Sequence, residues 1–104
     1  MDKDETETPM IFRRFKDGDI IAIMPTLPGT GDPFTCLSYQ HVGQHGSCNP
    51  SHVVRMTAVA RAHEYAELKA ELTRIGYKVR AIQRASWRHY NARKDALDRL
   101  TREG

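Results

Sequence analysis

From Pro9 onward the chain runs through short β-prone segments punctuated by turn residues, and its second half is dominated by helical spacing. Met10-Ile-Phe-Arg-Arg-Phe15 and Ile20-Ile-Ala-Ile-Met24 flank Lys16-Asp17-Gly18-Asp19. Asp-Gly supplies the positive φ angles of a tight turn, so these runs predict a β-hairpin. A two-residue Asp17-Gly18 loop would pair Lys16 with Asp19 and Phe15 with Ile20. Residues 25–33, Pro-Thr-Leu-Pro-Gly-Thr-Gly-Asp-Pro, predict a loop. Phe34 to Val42 predicts a third strand, with Leu37, Tyr39 and His41 on one face and Cys36, Ser38 and Gln40 on the other. Residues 43–50 break it, and His52-Val-Val-Arg-Met56 reads as a fourth strand or an extended approach to a helix. That helix is marked by Tyr65, Leu68, Leu72 and Ile75 on one face, with Gly76 at the position of a left-handed C-cap. Tyr77-Lys-Val-Arg-Ala81 alternates apolar with basic residues, as a strand with one buried face does. From Ser86, a plausible N-cap, the spacing turns helical again, with a narrow stripe of Tyr90, Ala96, Leu97 and Leu100 that Arg93 interrupts.

This order predicts an α+β fold: a small, largely antiparallel sheet, made of the N-terminal hairpin and further strands, packed on one central helix, with an additional C-terminal helix. At 104 residues, 39% of them hydrophobic and 28% charged, the chain suits one globular domain. We read residues 1–8 as a disordered acidic tail and 9–104 as a single α+β domain, with 84–104 a basic C-terminal helix. No apolar run approaches the roughly 18 to 20 residues that span a bilayer, and the acidic start lacks the pattern of a secretory signal. Those features predict a cytoplasmic protein with no membrane partner and two reduced thiols.

The net charge of +3 is unevenly distributed. Asp2, Asp4, Glu5 and Glu7 crowd the start, whereas Leu72 to Lys94 holds Arg74, Lys78, Arg80, Arg84, Arg88, Arg93 and Lys94 and no acid. Arg80, Arg84 and Arg88 are spaced by four, with Trp87, His89 and Tyr90 interleaved, so a helix from about residue 84 would set a cationic strip beside aromatic rings. Arginines hold phosphates and rings stack on bases or protein surfaces. Lys78, Arg80, Arg84, Trp87, Arg88 and Tyr90 are therefore the candidate binding residues, for nucleic acid or an acidic protein partner. A solvated helix face is the bland alternative, with Trp87 packed on the domain or joining two copies as a homodimer contact. No helix-turn-helix, zinc-finger or RNA-recognition signature decides among these.

The segment Cys36-Leu-Ser-Tyr-Gln-His41-Val-Gly-Gln-His45-Gly-Ser-Cys48, with His52 beyond it, carries zinc-type donors. It has no Cys-x2-Cys knuckle, and Cys36 and His41 fall on opposite faces of a regular strand, so we assign no metal, cofactor or catalytic residue. Tyr39, His41, Gln44 and His45 remain a motif of unassigned role. A Cys48 nucleophile with His45 or His52 as base is the weaker chemical reading. Gly29-Thr30-Gly31 is a weak phosphate-loop match, lacking the Gly-Lys-Ser/Thr ending.

Ser38-Tyr39-x-His41-Val42-Gly43-Gln44-His45-Gly46, with the Asp17-Gly18 turn before it and Glu64-Tyr65-x-x-Leu68 and Glu71-Leu72-x-x-Ile75-Gly76-Tyr77 after it, resembles a group of small proteins encoded by bacterial phages, plasmids and integrated mobile elements. The resemblance spans about residues 10–82. That group has no fixed cysteine at the position of Cys48 and is variable over Trp87–Gly104. The resemblance implies no particular activity, only a setting in which small proteins bind DNA or interfere with a host protein. Together these readings favour a small non-catalytic binding protein of mobile-element type acting through its basic C-terminal segment. The alternative is a small enzyme or metal-binding protein centred on Tyr39, His41, His45 and Cys48.

Overall fold

The computed structural model describes residues 7–40 and 44–103. Of the acidic tail expected over residues 1–8, residues 1–6 lie outside the described residues, as does His41 of the motif, and Thr8 belongs instead to the first strand, where it pairs with Val79. The elements are β1 (Thr8–Arg14), β2 (Ile20–Pro28), β3 (Cys36–Gln40), β4 (Gln44–Cys48), α1 (Pro50–Met56), β5 (Ala58–Val59), α2 (Ala62–Ile75), β6 (Val79–Ile82) and α3 (Trp87–Glu103). The fold is α+β. Its sheet runs β4-β3-β2-β1-β5 in antiparallel pairs, and β6 adds to the N-terminal half of β1 as a parallel strand.

The apolar runs of β1 and β2 are continuous because both strands are central and covered on both faces. Met10, Phe12, Ala22, Met24 and Tyr39 point to one face, where Leu68 and Leu72 of α2 close the core and Tyr65 stacks on Phe12. Ile11, Ile21, Ile23 and Cys36 point to the other, where Val53 of α1 packs. The helix α3 runs along β2. Its Arg93 donates to Pro25 O and Pro33 O, which ties the helix to the end of β2 and to the connection after it. The predicted stripe of α2 holds at Leu68 and Leu72, but Ile75 is 49% exposed at the helix end, one residue before Gly76 with its φ of +128°.

Four local expectations need correction. The hairpin pairs Arg14 with Ile20 and Arg13 with Ile21, not Lys16 with Asp19 or Phe15 with Ile20 as a ladder pair. The Asp17 side chain accepts from the Asp19 N–H, and the Phe15 N–H donates to Asp19 O, which lengthens the connection to Lys16-Asp17-Gly18. Residues 25–28 continue β2 rather than forming loop. The β2–β3 register shifts between Met24 and Pro28, and such a bulge tolerates prolines that cannot donate to a ladder. Residues 44–48 form the edge strand β4, not a break. Residues 50–56 form a helix, not a strand: Asn49 caps it by accepting from the Ser51 and His52 N–H groups, and Pro50 occupies its first turn. At its other end the buried Arg13 donates to the carbonyls of Val54 and Thr57 and to Thr57 Oγ1. A guanidinium there satisfies the orphan carbonyls and opposes the helix dipole.

Gly18 has a φ of +96° with open space where a Cβ would stand. Gly18→Val therefore costs backbone strain alone, and we expect a loss of about 1 kcal/mol or more in denaturant unfolding. An unchanged midpoint would contradict the turn geometry.

Candidate nucleic-acid interface

Three groups of side chains stand out. The first joins β3, β4 and α2 on the α2 face. The buried Tyr39 hydroxyl donates to the Glu71 carboxylate. The exposed His45 ring meets Tyr39 edge-on at 4.7 Å between centroids, and its Nε2 lies 3.0 Å from the Tyr77 hydroxyl. Partial burial holds the Tyr77 phenol above its ordinary pKa and so in its neutral form. These contacts fasten the edge strand and the end of α2 to the core. Gln44 pairs with Gln40 in the strand register.

Cys48 does not belong to that group. It stands three residues from His45 in a strand, an odd step, and so faces the second side with Cys36 and Val53. His52 lies on α1, exposed. The Cys and His donors of the motif thus divide between two faces, and among the described residues no three His, Cys, Asp or Glu side chains gather as metal ligands would. Of the centre expected around Tyr39, His41, His45 and Cys48, the described Tyr39 and His45 lie on one face and Cys48 on the other.

The second group surrounds the start of α3. The four-residue spacing of Arg80, Arg84 and Arg88 is not helical periodicity: Arg80 is in β6, Arg84 in the following connection, and only Arg88 in the helix, which begins at Trp87 rather than 84. A four-residue connection joins β6 to α3, and Arg80 reaches His89 in the first turn of that helix. Ser86 caps the helix. Its carbonyl accepts from the Tyr90 N–H, while its own N–H donates to His89 Nδ1 at 3.0 Å. Burial, and then the charge of Arg80, hold His89 below its ordinary pKa. Trp87 is 70% exposed, Arg88 stands 5.8 Å from the centre of its ring, and Lys78, Arg80 and Arg84 are exposed. Among the described residues none of these cations lies within ion-pairing distance of a carboxylate; the ion pair that forms is Arg14–Glu64, elsewhere.

Tyr90, grouped with these by sequence, has a different place. It is half-buried, stacks on Phe34 at 5.8 Å, and carries the Arg93 guanidinium 5.3 Å over its ring. Arg93, read as an interruption of the stripe, is the docking residue of α3: only 4% exposed, it donates to Pro25 O at 2.7 Å and Pro33 O at 2.9 Å. The signal available in sequence was its position between Tyr90 and Leu97 on the packing side of the helix.

The His89 contact carries a pH dependence. A backbone N–H can donate to Nδ1 only while that nitrogen is unprotonated. The folded pKa is depressed, so the unfolded chain binds the proton first as acidity rises, and stability present above the unfolded value of about 6.5 is lost as pH falls from there toward the folded value. We expect the thermal midpoint to drop over that window, and His89→Gln, which keeps an acceptor without titrating, to flatten the drop. An unaltered pH profile in that variant would contradict the assignment.

Compared with protein-family models, curated proteins and solved structures, the chain matches none of them. No helix among the described residues is long and apolar enough to cross a membrane.

Proposed function

We propose that the chain is a binding protein for single-stranded nucleic acid, which it engages through Arg80, Arg84, Trp87 and Arg88 around the junction of β6 and α3, with Lys78 at the far end of β6. The observation that carries this reading is the exposed Trp87 with the Arg88 guanidinium over its ring, in a stretch of exposed arginines that no carboxylate neutralises among the described residues. The first turn of α3 has no acid, and Arg84 and Arg88 stand at the positive end of the helix dipole. Cations there cost stability in the free protein, and a phosphate relieves that repulsion. An open indole is a stacking platform for an unpaired base, and stacking is indifferent to sequence. The acids of α3, Asp95, Asp98 and Glu103, lie one turn or more beyond Asn91, so its first turn carries basic charge alone.

An acidic protein partner would use the same cations, whereas a partner anchored on Trp87 by apolar contact would depend weakly on salt and lose most of its affinity in Trp87→Ala. A mobility-shift assay with a labelled single-stranded oligonucleotide tests the proposal. We expect a complex at about 50 mM salt that is largely lost at about 200 mM. No shift at the lower salt would overturn it.

A further inference from the structure

The second face of the sheet holds a thiol pair that the binding surface does not use. Cys36 and Cys48 are direct partners in the β3–β4 register, and their sulfurs stand 3.9 Å apart, both reduced. Directly facing residues of antiparallel neighbours have Cα atoms about 4.5–5.5 Å apart, within the range a disulfide requires. Bringing the sulfurs to bonding distance therefore needs side-chain rotation and no backbone travel.

We propose that Cys36 and Cys48 form a reversible thiol–disulfide pair, with Cys48 the entering nucleophile and Cys36 the resolving thiol. Accessibility separates the two roles. Cys36 is fully buried among Ile11, Ile21, Ile23 and Val53, whereas Cys48 is partly open on the edge strand β4. Their environments separate them again. The Cys36 thiol donating to Cys48, then the Ser38 hydroxyl and the Arg93 charge, hold Cys48 below its ordinary pKa, while that same hydrogen bond and burial push Cys36 up. Thiolate character thus sits on the sulfur that solvent reaches.

The partner is a low-molecular-weight disulfide. The Cys48 thiolate attacks one of its sulfurs, forming a mixed disulfide and expelling one thiolate. Cys36 then gives up its proton and attacks Cys48 Sγ, expelling the second thiol. Two protein thiols are oxidised to one disulfide, and the external disulfide is reduced to two thiols. The product ties the edge strand covalently to β3.

Glutathione disulfide is a suitable probe, added to the reduced full chain, with the reaction quenched by alkylation and followed by intact mass and peptide mapping. We expect the wild type to pass through a single glutathione adduct on Cys48 and finish two hydrogens lighter, with no alkylatable thiol. Cys36→Ser should stop at the Cys48 adduct, and Cys48→Ser should take up glutathione far more slowly. A wild type that retains both thiols, ends with two glutathiones, or shows its first adduct on Cys36 would overturn the proposal. The wild-type time course decides alone if Cys36→Ser does not fold.

Discussion

Reversing charge at two positions, Arg84→Glu with Arg88→Glu, is expected to abolish nucleic-acid binding while leaving the thermal midpoint within a degree or so of wild type, as surface substitutions without partners generally do. Both side chains are exposed and neither holds a carboxylate among the described residues, so the folded state loses only the exposed contact of Arg88 with the Trp87 ring. The carboxylates would in fact suit the N-terminal end of α3 better than the arginines do. Binding loses two phosphate contacts and gains two repulsions, and for single strands each lost contact should lower the log–log salt slope by about 0.7. Trp87→Ala separates the remaining contribution: base stacking on an exposed indole is worth about 1–3 kcal/mol, and its removal should weaken binding without changing the slope. A reversed variant that still bound would move the interface away from this end of α3.

The largest expected stability effect lies at Arg93. Arg93→Met keeps most of the volume and the helix propensity but orphans Pro25 O and Pro33 O, which now accept from the guanidinium. Removing the charge also removes a desolvation cost. That cost is smaller for a weakly hydrated guanidinium, already laid over Tyr90, than for an ammonium. The two carbonyls therefore decide the sign, at about 1–3 kcal/mol each, and we expect a net destabilisation of about 3 kcal/mol in denaturant unfolding. Arg93→Lys should recover only part of it, since one ammonium cannot present the fork that reaches both carbonyls. An unchanged midpoint in the methionine variant would show that α3 is held by its narrow apolar stripe alone.

How much of this could be read from the chain differs by element, for physical reasons. The uninterrupted apolar runs around residues 10–12 and 20–24 announce strands buried on both faces, and the Leu68–Leu72 stripe with Gly76 announces α2 and its end. The hairpin register escaped by one residue because the Asp17 carboxylate makes a local bond to the Asp19 N–H that composition does not reveal. Helix α1 was readable in principle from Asn49-Pro50, an N-cap followed by a first-turn proline, but its β-branched valines pulled the reading toward a strand. Strand β4 carries few β-formers and exists because β3 offers it a ladder. At the interface, the basic cluster and Trp87 were visible, but the four-residue spacing suggested a helix where a strand, a connection and a helix meet. The position of Arg93 between Tyr90 and Leu97 marks the packing side of the helix, but its role depends on carbonyls 60 and 68 positions away.

Trp87 is the only tryptophan in the chain and is 70% exposed, so its fluorescence reports on the proposed surface without any label. The most direct test is a titration of the wild-type protein with an unlabelled single-stranded oligonucleotide, following that emission across a series from about 50 to 200 mM salt. We predict saturable quenching, with log Kd rising linearly with log salt at a slope of about 0.7 for each phosphate engaged, three or four in all. Emission unaffected by the oligonucleotide at every salt concentration would contradict the assignment of this surface to nucleic acid.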